Sequence, residues 1–323
     1  MSTPTASVVI ITYERPDFVA RCLEHLLVQT SAPLEIVVVD SSSDDETERL
    51  VRDRFPTVTY AVCTAGMGAM AAARNLGYTM TSGDVLAFID DDAFAEPGWL
   101  EHLLPLYEDP WVGAVGGRQI RRVPGELEEG VDAIGRLQPD GTITGNFAAD
   151  PGGPVPVDHL LGANMSFRRS VLDRIGGIHE GYAGTCVREE TDLCLRVAHA
   201  GYKLVYTPDA VVEHLAAPYA KGRRFDLRYV YWAQKNHLIV LIRNFGLTEP
   251  IVRRYLSTSV AGSFAAIGER ASMATGRART RDISGAVRSA GGAVLRTGVV
   301  VAATVTGVWS GVRLSGEDRR SGG

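Results

Sequence analysis

The chain has 323 residues, 45% hydrophobic and 22% charged, with a formal net charge of −5. Such a composition fits a globular protein with room for one large domain and an appendage, and its mild acidity excludes a nucleic-acid partner held by bulk charge. Four scattered cysteines without a CxxC pair argue against a zinc site or a disulfide scaffold, and residues 1–7 lack a signal peptide's basic and apolar run, so a cytoplasmic location is expected.

The run SVVIITY from Ser7, apolar and rich in β-branched residues, predicts a first strand. Pro16 stands where a helix would begin, and Phe18, Cys22 and Leu26 recur at helical spacing with Val19, Leu23 and Leu27. LEIVVVD from Leu34 reads as the second strand, SDDET as a capped helix start, and TVTYAVC from Thr57 as the third strand. Ala69 to Tyr78 reads as a helix and DVLAFID as the fourth strand. Apolar strands alternating with amphipathic helices imply an α/β fold, its sheet mostly parallel and covered on both faces. Ligands of such sheets bind beyond the carboxyl ends of the strands. Polar residues collect there: Thr12, Tyr13, Glu14 and Arg15 after the first strand, Asp40 and serines after the second, Asp90 to Asp92 after the fourth. Neither a GxGxxG dinucleotide fingerprint nor a GxxxxGK[ST] loop is present.

From about Ile120 to Val157 the chain is rich in Gly, Pro and acids and reads as loops around a short irregular insert. Order returns with LLGANMSFRRSVLDRIGG, a helix over LCLRVAHA that Gly201 would stop, and the strand KLVYTP. Beyond Lys221 the chain turns basic and aromatic, with helical character over Arg223 to Arg243. The charge-free run Thr297 to Val312 is shorter than the roughly 20 residues a membrane span needs, so a packing or peripheral role is expected.

Three adjacent aspartates after a buried strand need compensation, because like charges repel and desolvated carboxylates are unfavourable. Either a divalent cation binds there, or Asp92 caps a helix through AFAEPGWLEHLL while the others stay in water. Glu189, Glu190 and Asp192 open the LCLRVAHA helix, where acids complement the dipole or supply a general base. His214 is either a strand-end histidine or a third metal ligand. Asp40 either caps a helix or hydrogen-bonds a base or ribose, and Arg74 with Asn75 either decorates a helix or faces a nucleotide.

In this order the pieces resemble family 2 glycosyltransferases, the inverting enzymes of the GT-A fold. The likeness rests on SVVIITYERP, VVVDSSSDDET, GMGAMAAARNLGYTMTSGDVLAFIDDD, GANMSFRRSVLDRIGGIHE and REETDLCLRVAHAGYKLVYTPDAVVEH, spanning about Ser7 to His214. The resemblance implies a nucleoside-diphosphate sugar donor, with uridine or thymidine favoured, a Mn2+ or Mg2+ cofactor, and a glycan, lipid-linked or small-molecule acceptor. It places Thr12, Tyr13, Glu14, Asp40, Arg74, Asp90 and Asp91 at the nucleotide, and Asp92 and His214 on the metal. Glu190 becomes the general base, although the family pattern has Asp at that position. Glu189 is the alternative base and Asp192 a supporting acid. The rival functions are a nucleotidyltransferase, a retaining glycosyltransferase and a catalytically weak nucleotide-sugar binder. The expected organisation is a catalytic domain over 1–220, divided near 119 into nucleotide and acceptor halves, then a helical extension over 221–315 and a disordered tail at 316–323. The extension either packs on the catalytic domain, which is the expectation, or touches the inner face of a membrane.

Overall fold

The β-branched runs of the first ninety residues form one half of a mixed sheet. The computed structural model describes residues 3–120, 133–184, 186–215, 226–259, 261–262, 265 and 283–321. The chain divides into two compact units: Met1–Leu137 with Ile143–Ala220, and Gln138–Thr142 with Lys221–Gly323.

In the first unit, β1 (Ala6–Thr12), α1 (Pro16–Leu26), β2 (Glu35–Asp40), α2 (Glu46–Arg54), β3 (Thr59–Val62), α3 (Met70–Thr79) and β4 (Val85–Asp90) alternate. There follow β5 (Ala93–Ala95), α4 (Trp99–Leu103), β6 (Val112–Ile120), β7 (Val155–Pro156), β8 (Met165–Arg168), α5 (Arg169–Ile175), α6 (Glu189–His199) and β9 (Lys203–His214). The sheet order is β3-β2-β1-β4-β8-β6-β9-β5, with β7 also on β9. Strands β1 to β4 are mutually parallel where they pair, whereas β8 runs antiparallel to β4 and β6. Alternate residues of β1 explain the double cover: Val8 and Ile10 join Leu23, Leu26 and Val38 on one face, and Val9 joins Val37, Ala73, Phe88 and Phe167 on the other. Gly77 lets α3 lie close against the sheet, because a Cβ there would collide with the Val9 side chain.

Two readings of the sequence are corrected here. AFA is the short strand β5 and not a helix start, with Ala93 opposite His214 and Ala95 opposite Val212. KLVYTP and AVVEH are one strand, β9, which passes through Pro208 by a register shift between Gly117 and Gln119 of β6. A bulge of that kind is where a strand tolerates proline. At Gly117 a Cβ would strike Ala210 O, so this close crossing requires glycine. Of the insert between 120 and 157, residues 121–132 lie outside the described residues, and Leu137 bridges Ile143 in the remainder.

The second unit contains α7 (Leu227–Phe245), α8 (residues 250–259) and α9 (Ile283–Ser321). Asp226 caps α7 by accepting from Tyr229 N at 2.8 Å. Ala303, Gly307, Ser310, Gly311 and Leu314 form the buried face of α9, and the glycines lie against Leu238 and Ile242 of α7. Neutral hydrogen bonds link the helices: Tyr231 Oη to Thr306 Oγ1 at 3.0 Å, Gln234 Nε2 to Thr304 Oγ1 at 3.2 Å, and Tyr255 Oη to Gln234 Oε1 at 2.8 Å. One further expectation changes: the tail is helical as far as Ser321. The apolar run lies within α9, whose Val294–Asp318 stretch is long and apolar enough to cross a membrane by length and composition. The stretch from Arg223 to Arg243 is α7 from Leu227 onward, its first residues lying outside the described set.

Candidate active site

The carboxyl ends of β1, β2 and β4 stand side by side in the parallel sheet, and a single guanidinium joins the end of β4 to the N-terminus of α6. Arg74, 1% exposed on α3, lies 3.1 Å from Asp90 Oδ1 through Nη2 and pairs with Glu189 through Nη1. The acidic tip after β4 and the acidic turn opening α6 therefore lie on either side of one guanidinium. Gly162 stands against the other side of Arg74, where a Cβ would come within 2.9 Å of Nη2.

The three aspartates divide their work. Asp90 is partly open. Asp91 is buried, accepts from Thr12 Oγ1 at 2.7 Å and from Arg15 Nη1 at 3.1 Å, and ties the end of β4 to the end of β1. Burial pushes the Asp91 carboxyl up to about 7; Arg15 opposes this and Asp92 adds to it. Asp92 has Oδ1 3.1 Å from His214 Nε2 and Oδ2 3.6 Å from Arg15 Nη1. The backbone explains that meeting: β5 pairs Ala93 with His214, and Leu215 N donates to Asp92 O at 3.0 Å.

Asp90, Asp92 and His214 each bring one ligand atom within 4.8 Å of the others. Two carboxylates and an imidazole suit Mn2+, and the oxygens alone suit Mg2+. His214 Nδ1 is buried and meets no hydrogen-bond partner among the described residues. The residues present thus fit a divalent cation.

Around the α6 turn, Glu189 is 1% exposed and committed to Arg74, whereas Glu190 is only half-buried. Burial pushes the Glu190 carboxyl above the usual range; Arg188 and Arg74 pull it down and Asp90 pushes it up. Asp192 is buried, 3.8 Å from Arg196 one helical turn on. Arg188 holds a left-handed backbone (φ 88) just before α6, which sets the direction in which the helix starts.

On the β1–β2 side, Asp40 is buried; Oδ1 accepts from Ser42 N at 2.8 Å and Oδ2 from Tyr60 Oη at 2.8 Å. Glu14, with φ 52, donates its N–H to Ser42 Oγ at 2.6 Å and accepts from Ser43 Oγ at 3.0 Å, so the two loops are stitched together. Tyr13 is partly exposed beside them, and its hydrogen bond to Glu14 raises its hydroxyl above the ordinary value. Thr12, Arg74 and Asp91, expected at the nucleotide, are buried and bond protein partners. Asn75 likewise faces the chain, bonding Ile178 N at 2.9 Å and Ile178 O at 2.8 Å. Sequence reasoning set Arg15 at the end of the first strand without a role and passed over Arg188. The available signal for Arg188 was its place directly before the acidic pair Glu189 and Glu190.

The sequence pattern of glycosyl transferase family 2 matches residues 7–176. A glucosyl-dolichyl phosphate glucuronosyltransferase of Haloferax volcanii is 32% identical over 223 residues, covering 64% of this chain and 68% of its own. An N-acetylglucosaminyl-diphospho-decaprenol L-rhamnosyltransferase of Mycobacterium tuberculosis is 28% identical over 247 residues, covering 68% and 79%. A mannosyltransferase from Pyrobaculum calidifontis, solved with GDP-Man and Mn2+, shares the fold at a TM-score of 0.61 and 21% identity, covering 96% of this chain and 88% of that one. Pattern, relatives and fold agree: the chain belongs to glycosyl transferase family 2 and has the GT-A architecture.

Proposed function

We propose that the chain is an inverting, divalent-metal-dependent glycosyltransferase that moves a sugar from a nucleoside diphosphate to a hydroxyl of a lipid-linked acceptor. The observation that carries this reading is the Arg74 bridge, which ties Asp90 of the Asp90–Asp92–His214 cluster to Glu189, the neighbour of Glu190. The lipid-linked acceptor draws support from the names of the two relatives, both of which act on polyprenyl-borne sugars.

In this reading Asp90, Asp92 and His214 hold Mn2+ or Mg2+, which would neutralise charge developing on the departing diphosphate. Tyr13, Glu14 and the Asp40 loop flank the nucleoside. Glu190 accepts the acceptor hydroxyl's proton on a carboxylate oxygen, and the freed oxygen attacks the anomeric carbon from the side opposite the diphosphate. A single displacement inverts that carbon. The raised Glu190 carboxyl makes a stronger base once ionised. Glu189, locked to Arg74, holds the first turn of α6 in place.

Glu190→Gln tests the base. We expect transfer to fall about 10²–10⁴-fold while donor affinity, measured by calorimetry, stays within a few-fold. Transfer near the wild-type rate would remove Glu190 from the role. Asp92→Asn tests the cation. Metal-supported donor binding should weaken about 10–100-fold, and equal donor affinity with and without Mn2+ would refute the assignment.

A further inference from the structure

We propose that the α7–α9 pair is a docking surface for an anionic lipid bilayer, with one face of α9 lying at the boundary of headgroups and acyl chains. The inference rests on the second unit alone and stands or falls separately from the catalytic reading.

The first observation is a stripe. Val294, Gly298, Val301, Val305, Trp309 and Val312 recur at spacings of three and four, which puts them on one line of an α-helix. They lie on the side away from the α7 contact and are open to solvent, Val305 at 65% and Trp309 at 67%. Between Arg296 and Arg313 no residue is charged, so nothing on this face favours water. At the α7 end the stripe continues into an apolar groove of about 570 Å³ lined by Leu227, Tyr231, Leu295 and Val299, with Arg228 as its single charge. An acyl chain beside a phosphate matches that chemistry.

The second observation is charge. Residues 221–323 carry 17 basic and 6 acidic side chains, net +11, whereas residues 1–220 carry 16 and 32, net −16. A cationic segment bearing an exposed apolar stripe complements an anionic membrane surface. The same charge opposes a second copy on the stripe, since two such segments would repel. Arg313 lies over the Trp309 ring at 5.5 Å, and the pair suits an interface where the ring sits among headgroups.

Thr304 and Thr306 hydrogen-bond the α7 side chains Gln234 and Tyr231, so that side of α9 is polar and is taken up by its partner helix, which leaves the opposite apolar stripe to meet a surface.

Flotation of the full chain on phosphatidylcholine vesicles, with and without one third phosphatidylglycerol, tests the proposal. We expect co-flotation with the anionic vesicles, at least about tenfold weaker on the neutral ones and reversed by salt. Val301→Asp with Val305→Asp should cut partitioning at least about tenfold, with helix content checked by circular dichroism. Arg296→Gln with Arg313→Gln leaves the stripe whole and should weaken binding several-fold through charge alone. The proposal is overturned if the wild type stays unbound, if neutral and anionic vesicles bind alike, or if the aspartate variant, still helical, floats normally. Association that resists alkaline carbonate would make α9 a span. A lipid-free dimer dissolved by the aspartate variant, without flotation, would assign the stripe to a second copy. Either result overturns the surface reading.

Discussion

The two units treat polarity in opposite ways. The first takes charges inside and matches them: Arg74 with Asp90 and Glu189, Arg15 with Asp91 and Asp92. The second joins its helices through amides, hydroxyls and small residues, with the ion pair between Arg243 and Asp318 (2.9 Å) where the helices end. Buried ion pairs are a weak source of net stability, but removing one partner is severe because it strands a charge. Small-residue packing is sensitive to volume instead. The first unit is therefore vulnerable to lost charge and the second to added bulk.

The sharpest break of that contrast is Arg74→Gln. It leaves Glu189 buried without its cation, and denaturant unfolding should show a loss of about 3–5 kcal/mol. Arg74→Lys should recover only part of this, since an ammonium lacks the fork that reaches two carboxylates. A loss under 1 kcal/mol for the glutamine variant would mean the bridge is incidental. Next in size is an acid effect on a neutral buried group in the first unit. His159 is 2% exposed with Nε2 2.8 Å from Thr144 O, and burial above all pushes its imidazole down to about 4. The unfolded chain takes up this proton near 6.5, so the contribution to stability is complete above that pH and is lost as pH falls toward 4. By pH 5 the loss is about 2 kcal/mol. Stability curves of the wild type and His159→Gln should converge in acid, and parallel curves would refute the assignment. The smallest effect belongs to the second unit. Gly307 has Lys235 O 3.0 Å from where a Cβ would stand, so Gly307→Val should cost about 1–2 kcal/mol. Hydrogen exchange should quicken in α7 and α9 only. Uniform quickening in both units would erase the contrast drawn here.

Much of the sheet was legible because β1, β2 and β4 are unbroken β-branched and apolar runs, buried throughout apart from their ends. The antiparallel β5 was not, since three residues of AFA carry no period and the proline and glycine after them resemble a helix start. That omission matters at the site. Aspartates 90 to 92 were legible as a cluster, but their separate orientations depend on β5 turning back onto β9. The sequence likewise marked Arg74 as important without showing that it faces inward, because nothing local reveals that Glu189, 115 positions on, is its partner. Arg296 and Arg313 mark the ends of an apolar run, yet the length of α9 stayed hidden behind glycines that weaken helix propensity.

The pairing of Ala93 with His214 also bears on biosynthesis. A chain leaving the ribosome presents both aspartates early, while the imidazole that completes their trio arrives only with the last strand of the first unit. Half-made protein therefore lacks the full set of donors, which come together only when β9 closes against β5.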